Sequence, residues 1–199
     1  MTIDFVWQRC VDGYAVVKNK NEGVHYIVPK TGRAECFRPF DIHSAILCIF
    51  SEKTNVSGYV DFANKFGLLN HEAAPELLSQ FELQSYEFRT MLELYNRGNL
   101  NAVAANFNKL KGRDIFLQFN TAHDPPTLCY SATNLLQAMW LQFGEMIIHE
   151  EKQEMCALCN EWFAVGPTTN RRRRRFNAKR SFCCDAHAKR YEYINRKNT

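Results

Sequence analysis

The 199-residue chain holds no apolar run near the ~20 residues that a membrane-spanning helix needs; the longest, around Ala45 to Phe50, is far too short. The start, Met1-Thr2-Ile3-Asp4, lacks the charged and apolar regions of a signal peptide, so the expected location is the cytoplasm. No HExxH, P-loop, GxSxG or paired-carboxylate motif occurs. That leaves the common hydrolase and nucleotide-binding chemistries without their residues. Gly/Ser-rich linkers and internal repeats are missing as well. Disorder is excluded by the opposite property, since 46% of the residues are hydrophobic, enough for a folded core.

Net charge is also small, only +4, but it is unevenly placed. From Cys156 onward there are 11 Lys/Arg and 3 Asp/Glu, a charge of +8, against 14 basic and 18 acidic residues, −4, before it. A mildly acidic body is followed by a strongly basic tail, which calls for a polyanionic partner. The basic residues at issue are Arg171, Arg172, Arg173, Arg174 and Arg175, then Lys179 and Arg180, then Lys189 and Arg190. Arginine forks match phosphate geometry and hold their charge at any physiological pH. Tyr191 and Tyr193 are interleaved and suit either base stacking or packing.

The same tail contains Cys156-Ala157-Leu158-Cys159 and Phe182-Cys183-Cys184-Asp185-Ala186-His187. A CxxC turn presents two thiolates from one knuckle, and a structural zinc takes four Cys or His donors in a tetrahedron. Cys156, Cys159, Cys183 and His187 are the expected ligands of one structural Zn2+; by spacing alone, Cys184 competes with Cys183. Asp185 reads as a helix start with His187 in its first turn, a treble-clef or zinc-ribbon outline. Phe182 and the pair Trp162-Phe163 are expected to form its small core. Cys10, Cys36, Cys48 and Cys129 lack pairing rhythm and read as buried free thiols.

The tail resembles the C-terminal finger of bacterial proteins with a CxxC-x-x-(W/F)-F knuckle, a basic loop and an F-C-S-x-x-C helix start. The nearest named family is the CGNR zinc-finger proteins. Cys156, Cys159, Trp162, Phe163, Phe182 and Cys183 match, and His187 stands where that pattern has its last Cys. In place of the CGNR tetrapeptide stands His187-Ala188-Lys189-Arg190, which shares only the arginine. The resemblance implies Cys183 as the third ligand and a role in transcriptional regulation. Tyr59 to Leu69 also resembles an FANRYGLL phrase of such proteins.

The body reads as α+β. Four β-rich segments within 5–40, split by turns at Asp12-Gly13, Asn19–Gly23 and Pro29–Gly32, predict an antiparallel meander. Helices follow over 42–53, capped by Asp41, over 56–65, stopped by Gly67, and over 82–96 and 100–111. The helix over 82–96 is expected to carry an aromatic face with Phe81, Tyr86, Phe88 and Tyr95. A hairpin spans 114–130, and a last helix over 134–151 starts at Ser131 or Thr133. The domains expected are a body, 1–152, mainly helical after residue 40, and a basic zinc finger, 153–199.

The leading functional expectation is a zinc-containing nucleic-acid-binding protein acting on phosphates, with DNA ahead of RNA and either a homodimer or the N-terminal body to supply specificity. The alternative is a protein–protein adaptor whose basic loop meets an acidic protein. A nuclease ranks third, on His149-Glu150-Glu151 and the scattered His25, His43, His71 and His123.

Overall fold

A computed structural model describes residues 5–42, 45–109, 116–120, 127–165 and 181–197. The N-terminal strands are β1 (Trp7–Cys10), β2 (Tyr14–Lys18), β3 (His25–Pro29) and β4 (Ala34–Phe37). They are antiparallel, but the expected meander needs correction: β1 pairs with β4 and β2 with β3, so one hairpin is nested inside the other pair. The amides flanking the turn at Gly13 explain this. Cys10 N donates to the Tyr14 hydroxyl at 2.9 Å, and Tyr14 N donates to Asn64 Oδ1 at 2.7 Å. A local β1–β2 ladder would need both amides.

The helix expected over 42–53 is two pieces, α1 (Pro39–Ile42) and α2 (Ile46–Ser51), with Asp41 inside the first. Ala45 cannot cap α2 with its side chain. Instead Leu47 N donates to the buried Gln142 Oε1 at 3.1 Å, so a distant residue satisfies the first turn. At the other end, Ser85 Oγ and Arg89 donate to the carbonyls of Phe50, Ser51 and Lys53.

α3 (Val56–Phe66) starts at Asn55, whose Oδ1 accepts from Gly58 N at 2.8 Å. It ends at Gly67, where φ is +88° and an added Cβ would lie 2.7 Å from Gln8 O. Only glycine fits there. The segment around it clamps the strands, as Lys65 O accepts from Arg9 and Leu68 O accepts from Trp7 Nε1 at 3.0 Å.

A two-residue strand, β5 (Glu76–Leu77), adds to β3. Glu76 is 2% exposed, and its carboxylate accepts from Leu69, Asn70 and His71 backbone amides. Burial pushes its pKa up, against the lowering effect of those amides.

α4 (Leu78–Asn96) and α5 (Leu100–Lys109) follow. Leu78, Phe81, Ser85, Phe88 and Met91 form the buried stripe of α4. Tyr86, expected on an aromatic inner face, is instead 63% exposed, because it follows Ser85 about 100° further round the helix. The β6 (Phe116–Asn120) and β7 (Thr127–Ser131) hairpin is antiparallel. α6 (Leu135–Ile148) is capped by Asn134, not by Ser131 or Thr133. Gln137 Oε1 accepts in return from Thr133 N and Oγ.

The chain divides into two compact units, Met1–Gly144 and Glu145–Thr199. The first is organised on Phe50, Phe62, Phe66, Phe81, Phe88 and Phe143, all below 2% exposure. The second contains β8 (Lys152–Met155), β9 (Trp162–Val165) and α7 (Asp185–Lys197). Among the described residues no helix is long and apolar enough to cross a membrane.

Candidate metal centre

β8 and β9 form an antiparallel hairpin with Met155 opposite Trp162. The connection between them is the knuckle. Cys156 N donates to Glu161 O at 3.0 Å and Asn160 N donates to Cys156 O at 2.9 Å. Asn160 takes φ +56°, a left-handed conformation that asparagine tolerates better than most residues. The second half of the site arrives alongside, with Ala157 N donating to Ser181 O at 2.9 Å and a parallel bridge joining Cys156 to Ser181. Ser181 Oγ also donates to the Glu154 carboxylate. α7 then begins at Asp185, an acidic residue placed in the first turn where it complements the helix dipole.

These connections bring Cys156, Cys159, Cys183 and His187 together, with every donor atom within 4.8 Å of the others. Cys159 Sγ is 3.8 Å from Cys183 Sγ, Cys156 Sγ is 3.7 Å from His187 Nδ1, and Cys183 Sγ is 3.1 Å from the same nitrogen. The four side chains lie close enough to hold a metal ion. Cys184 is exposed and is not among the four, which separates the two candidates that spacing alone left open. Cys156, Phe163 and Val165 are buried, with Leu158, Cys159, Phe182 and Cys183 packed against them.

Trp162 departs from the expected core. Strand alternation puts it on the face opposite Phe163, where, among the described residues, its Nε1 and the Oε1 of Gln153 are buried without a hydrogen-bond partner.

The thiols do not share their protons evenly. Burial pushes Cys156 up, but the backbone amides of Cys159, Cys183 and Leu158 and the His187 ring outweigh it and bring it down to about 6. Burial raises Cys183, and the neighbouring Cys156 and Cys159 raise it further. One thiolate forms readily and the next is repelled by it. A cation between them would relieve that repulsion, and its binding would then be coupled to proton release.

No family model, no curated protein and no solved structure matches this chain.

The other candidates distribute as follows. Lys189 and Arg190 are exposed on α7. Arg171, Arg172, Arg173, Arg174, Arg175, Lys179 and Arg180 lie outside the described residues, as do His43 and His123. His149 Nε2 is 3.0 Å from Glu145 Oε2 on the preceding turn of its own chain. Among the described residues the Cys/His cluster is the one group able to hold a metal, and His25, His71 and His149 are not part of it. Of the cysteines expected to be buried, Cys10 and Cys48 are; Cys36 is exposed, as are its β4 neighbours Ala34 and Glu35.

Proposed function

We propose that the C-terminal unit is a zinc finger of treble-clef type that binds nucleic acid through its basic residues, and that the protein acts in transcriptional regulation. The observation that carries this reading is the convergence of four Cys/His donors at the start of a basic helix. Three thiols and an imidazole are a soft donor set that suits zinc. A zinc tetrahedron with Zn–S of about 2.3 Å has S–S edges of about 3.8 Å. The Cys159–Cys183 separation of 3.8 Å agrees with that edge. Four protein donors fill the shell and leave no position for a substrate, so the zinc is structural. A knuckle, a hairpin and a helix that would supply the last ligand support the treble-clef reading.

The nucleic-acid part rests on charge. The tail from Cys156 carries +8, and Lys189, Arg190 and Arg196 are exposed on the helix that bears His187. Phosphate contacts of this kind give affinity without reading sequence.

The test is metal analysis of the purified protein joined to a salt series of binding to random DNA and RNA. The expected result is one zinc per chain and affinity that falls steeply with salt. Replacing Arg171 to Arg175 by Ala is expected to weaken binding uniformly across sequences and to flatten the salt dependence. A zinc-loaded protein that binds no nucleic acid would overturn the reading.

A further inference from the structure

α7 carries two tyrosines two positions apart, and the fold gives them different surroundings. Tyr191 is half-buried, its ring centroid 5.3 Å from that of Phe182, so it packs the segment that leads into Cys183. Residues two apart on a helix point about 200° apart. Packing Tyr191 therefore turns Tyr193 outward, where it is 60% exposed.

The neighbours of Tyr193 on that outer face are cations. Lys189, Arg190 and Arg196 stand four before, three before and three after it, and all are exposed. Such positions are adjacent on a helix, with Cβ atoms about 5–6 Å apart. Ile194 adds an apolar edge at 41% exposure. Of the acidic residues of α7, Asp185 is the first residue of the helix, and half-buried Glu192 stands three after Lys189 and four before Arg196, beside those cations but about 100° round the helix from Tyr193. His187 belongs to the metal-ligand cluster, and Ala188 is buried.

A helix that met only the phosphates of a duplex would be served by the cations alone. A large ring at their centre has a use where bases are unpaired, because a base inside a duplex is already stacked on its neighbours. Resting on the nucleic-acid reading above, we infer that the outer face of α7 binds single-stranded nucleic acid. An unpaired base stacks on Tyr193 while the flanking phosphates meet Lys189, Arg190 and Arg196. Stacking tolerates every base, so this surface has little sequence preference of its own.

The test uses the full-length, zinc-loaded protein with a labelled oligothymidine and a duplex of the same length, each over a salt series. Tyr193→Ala is expected to weaken single-strand binding about 10-fold, the scale of losing one base–aromatic stack. Its duplex affinity and its salt slope stay at the wild-type values. Tyr193→Phe restores single-strand binding. Tyr193→Leu, which keeps apolar bulk without the ring, does not, and equal zinc content in each variant reports an intact finger. Replacing Lys189, Arg190 and Arg196 together by Ala lowers the single-strand salt slope by about 2. Wild-type affinity in Tyr193→Ala, or an equal loss on duplex, overturns the inference and leaves the nucleic-acid reading standing. A wild-type protein that binds neither polymer overturns both.

Discussion

The two units solve the same problem with different materials. Met1–Gly144 closes on stacked and edge-on aromatic rings, with Phe50 and Phe62 4.6 Å apart and Phe88 and Trp140 4.0 Å apart. In Glu145–Thr199 the buried cluster at the cysteines is Cys156, Phe163 and Val165, and one of those is itself a metal-ligand candidate. Among the described residues that is a small apolar cluster, of the kind that is commonly stapled by a metal. The thiols differ in the same way. Burial, with the Glu52 charge, pushes Cys48 up to about 12, whereas the amides around Cys156 bring it down to about 6 although it too is buried. Cys48 serves as packing, and Cys156 is prepared as a thiolate.

On the proposed metal-bound reading, the sharpest way to break this comparison is to remove the metal. A chelator is expected to abolish amide protection across β8, β9 and α7 while the helices of the first unit keep theirs, as read by hydrogen exchange. Cys183→Ser is expected to do the same, and Cys184→Ser to do nothing. Loss of protection in both units together would show that the difference is not one of materials.

The converse experiment attacks the aromatic core. Phe81 is fully buried and meets the rings of Phe50 and Tyr59. Phe81→Ala is expected to cost about 3–5 kcal/mol in urea unfolding of the first unit, with any metal content of the second unchanged.

Glu76→Gln tests a polar part of the same unit. Its amide NH2 would confront one of the three backbone amides that the carboxylate now satisfies, at a cost of about 1–3 kcal/mol. The folded pKa of Glu76 is raised, so the native state holds its proton more tightly than the unfolded chain. Its contribution is fully present below the unfolded pKa and is lost as pH rises through the folded one. The stability gap between wild type and Glu76→Gln is therefore expected to widen on acidification from neutral pH. A constant gap would mean that the carboxylate titrates alike in both states. The smallest effect is that of Asn55→Ala, about 1 kcal/mol for a lost helix cap, visible in thermal unfolding.

What could be read in the chain beforehand follows the range of the interaction that decides it. The CxxC turn, the Cys183–His187 spacing and the helix start at Asp185 are local, and the donor cluster and α7 occupy those positions. The end of α3 at Gly67 is likewise local. The strand order was hidden because it depends on Asn64 reaching Tyr14 across 50 residues. The break between α1 and α2 was hidden because Gln142 acts on Leu47 from 95 residues away. β8 escaped notice because Lys152-Gln153-Glu154-Met155 has neither apolar alternation nor β-branched residues. The outward turn of Tyr193 follows from helical period once Tyr191 is known to pack on Phe182, and sequence alone did not say which tyrosine packs.

Cys159 and Cys183 are separated by 24 positions, yet their sulfurs are 3.8 Å apart. The stretch between them includes the five consecutive arginines. An ion held by the cluster would close a stretch of 24 positions into a loop, a constraint that acts chiefly by limiting the freedom of the unfolded chain.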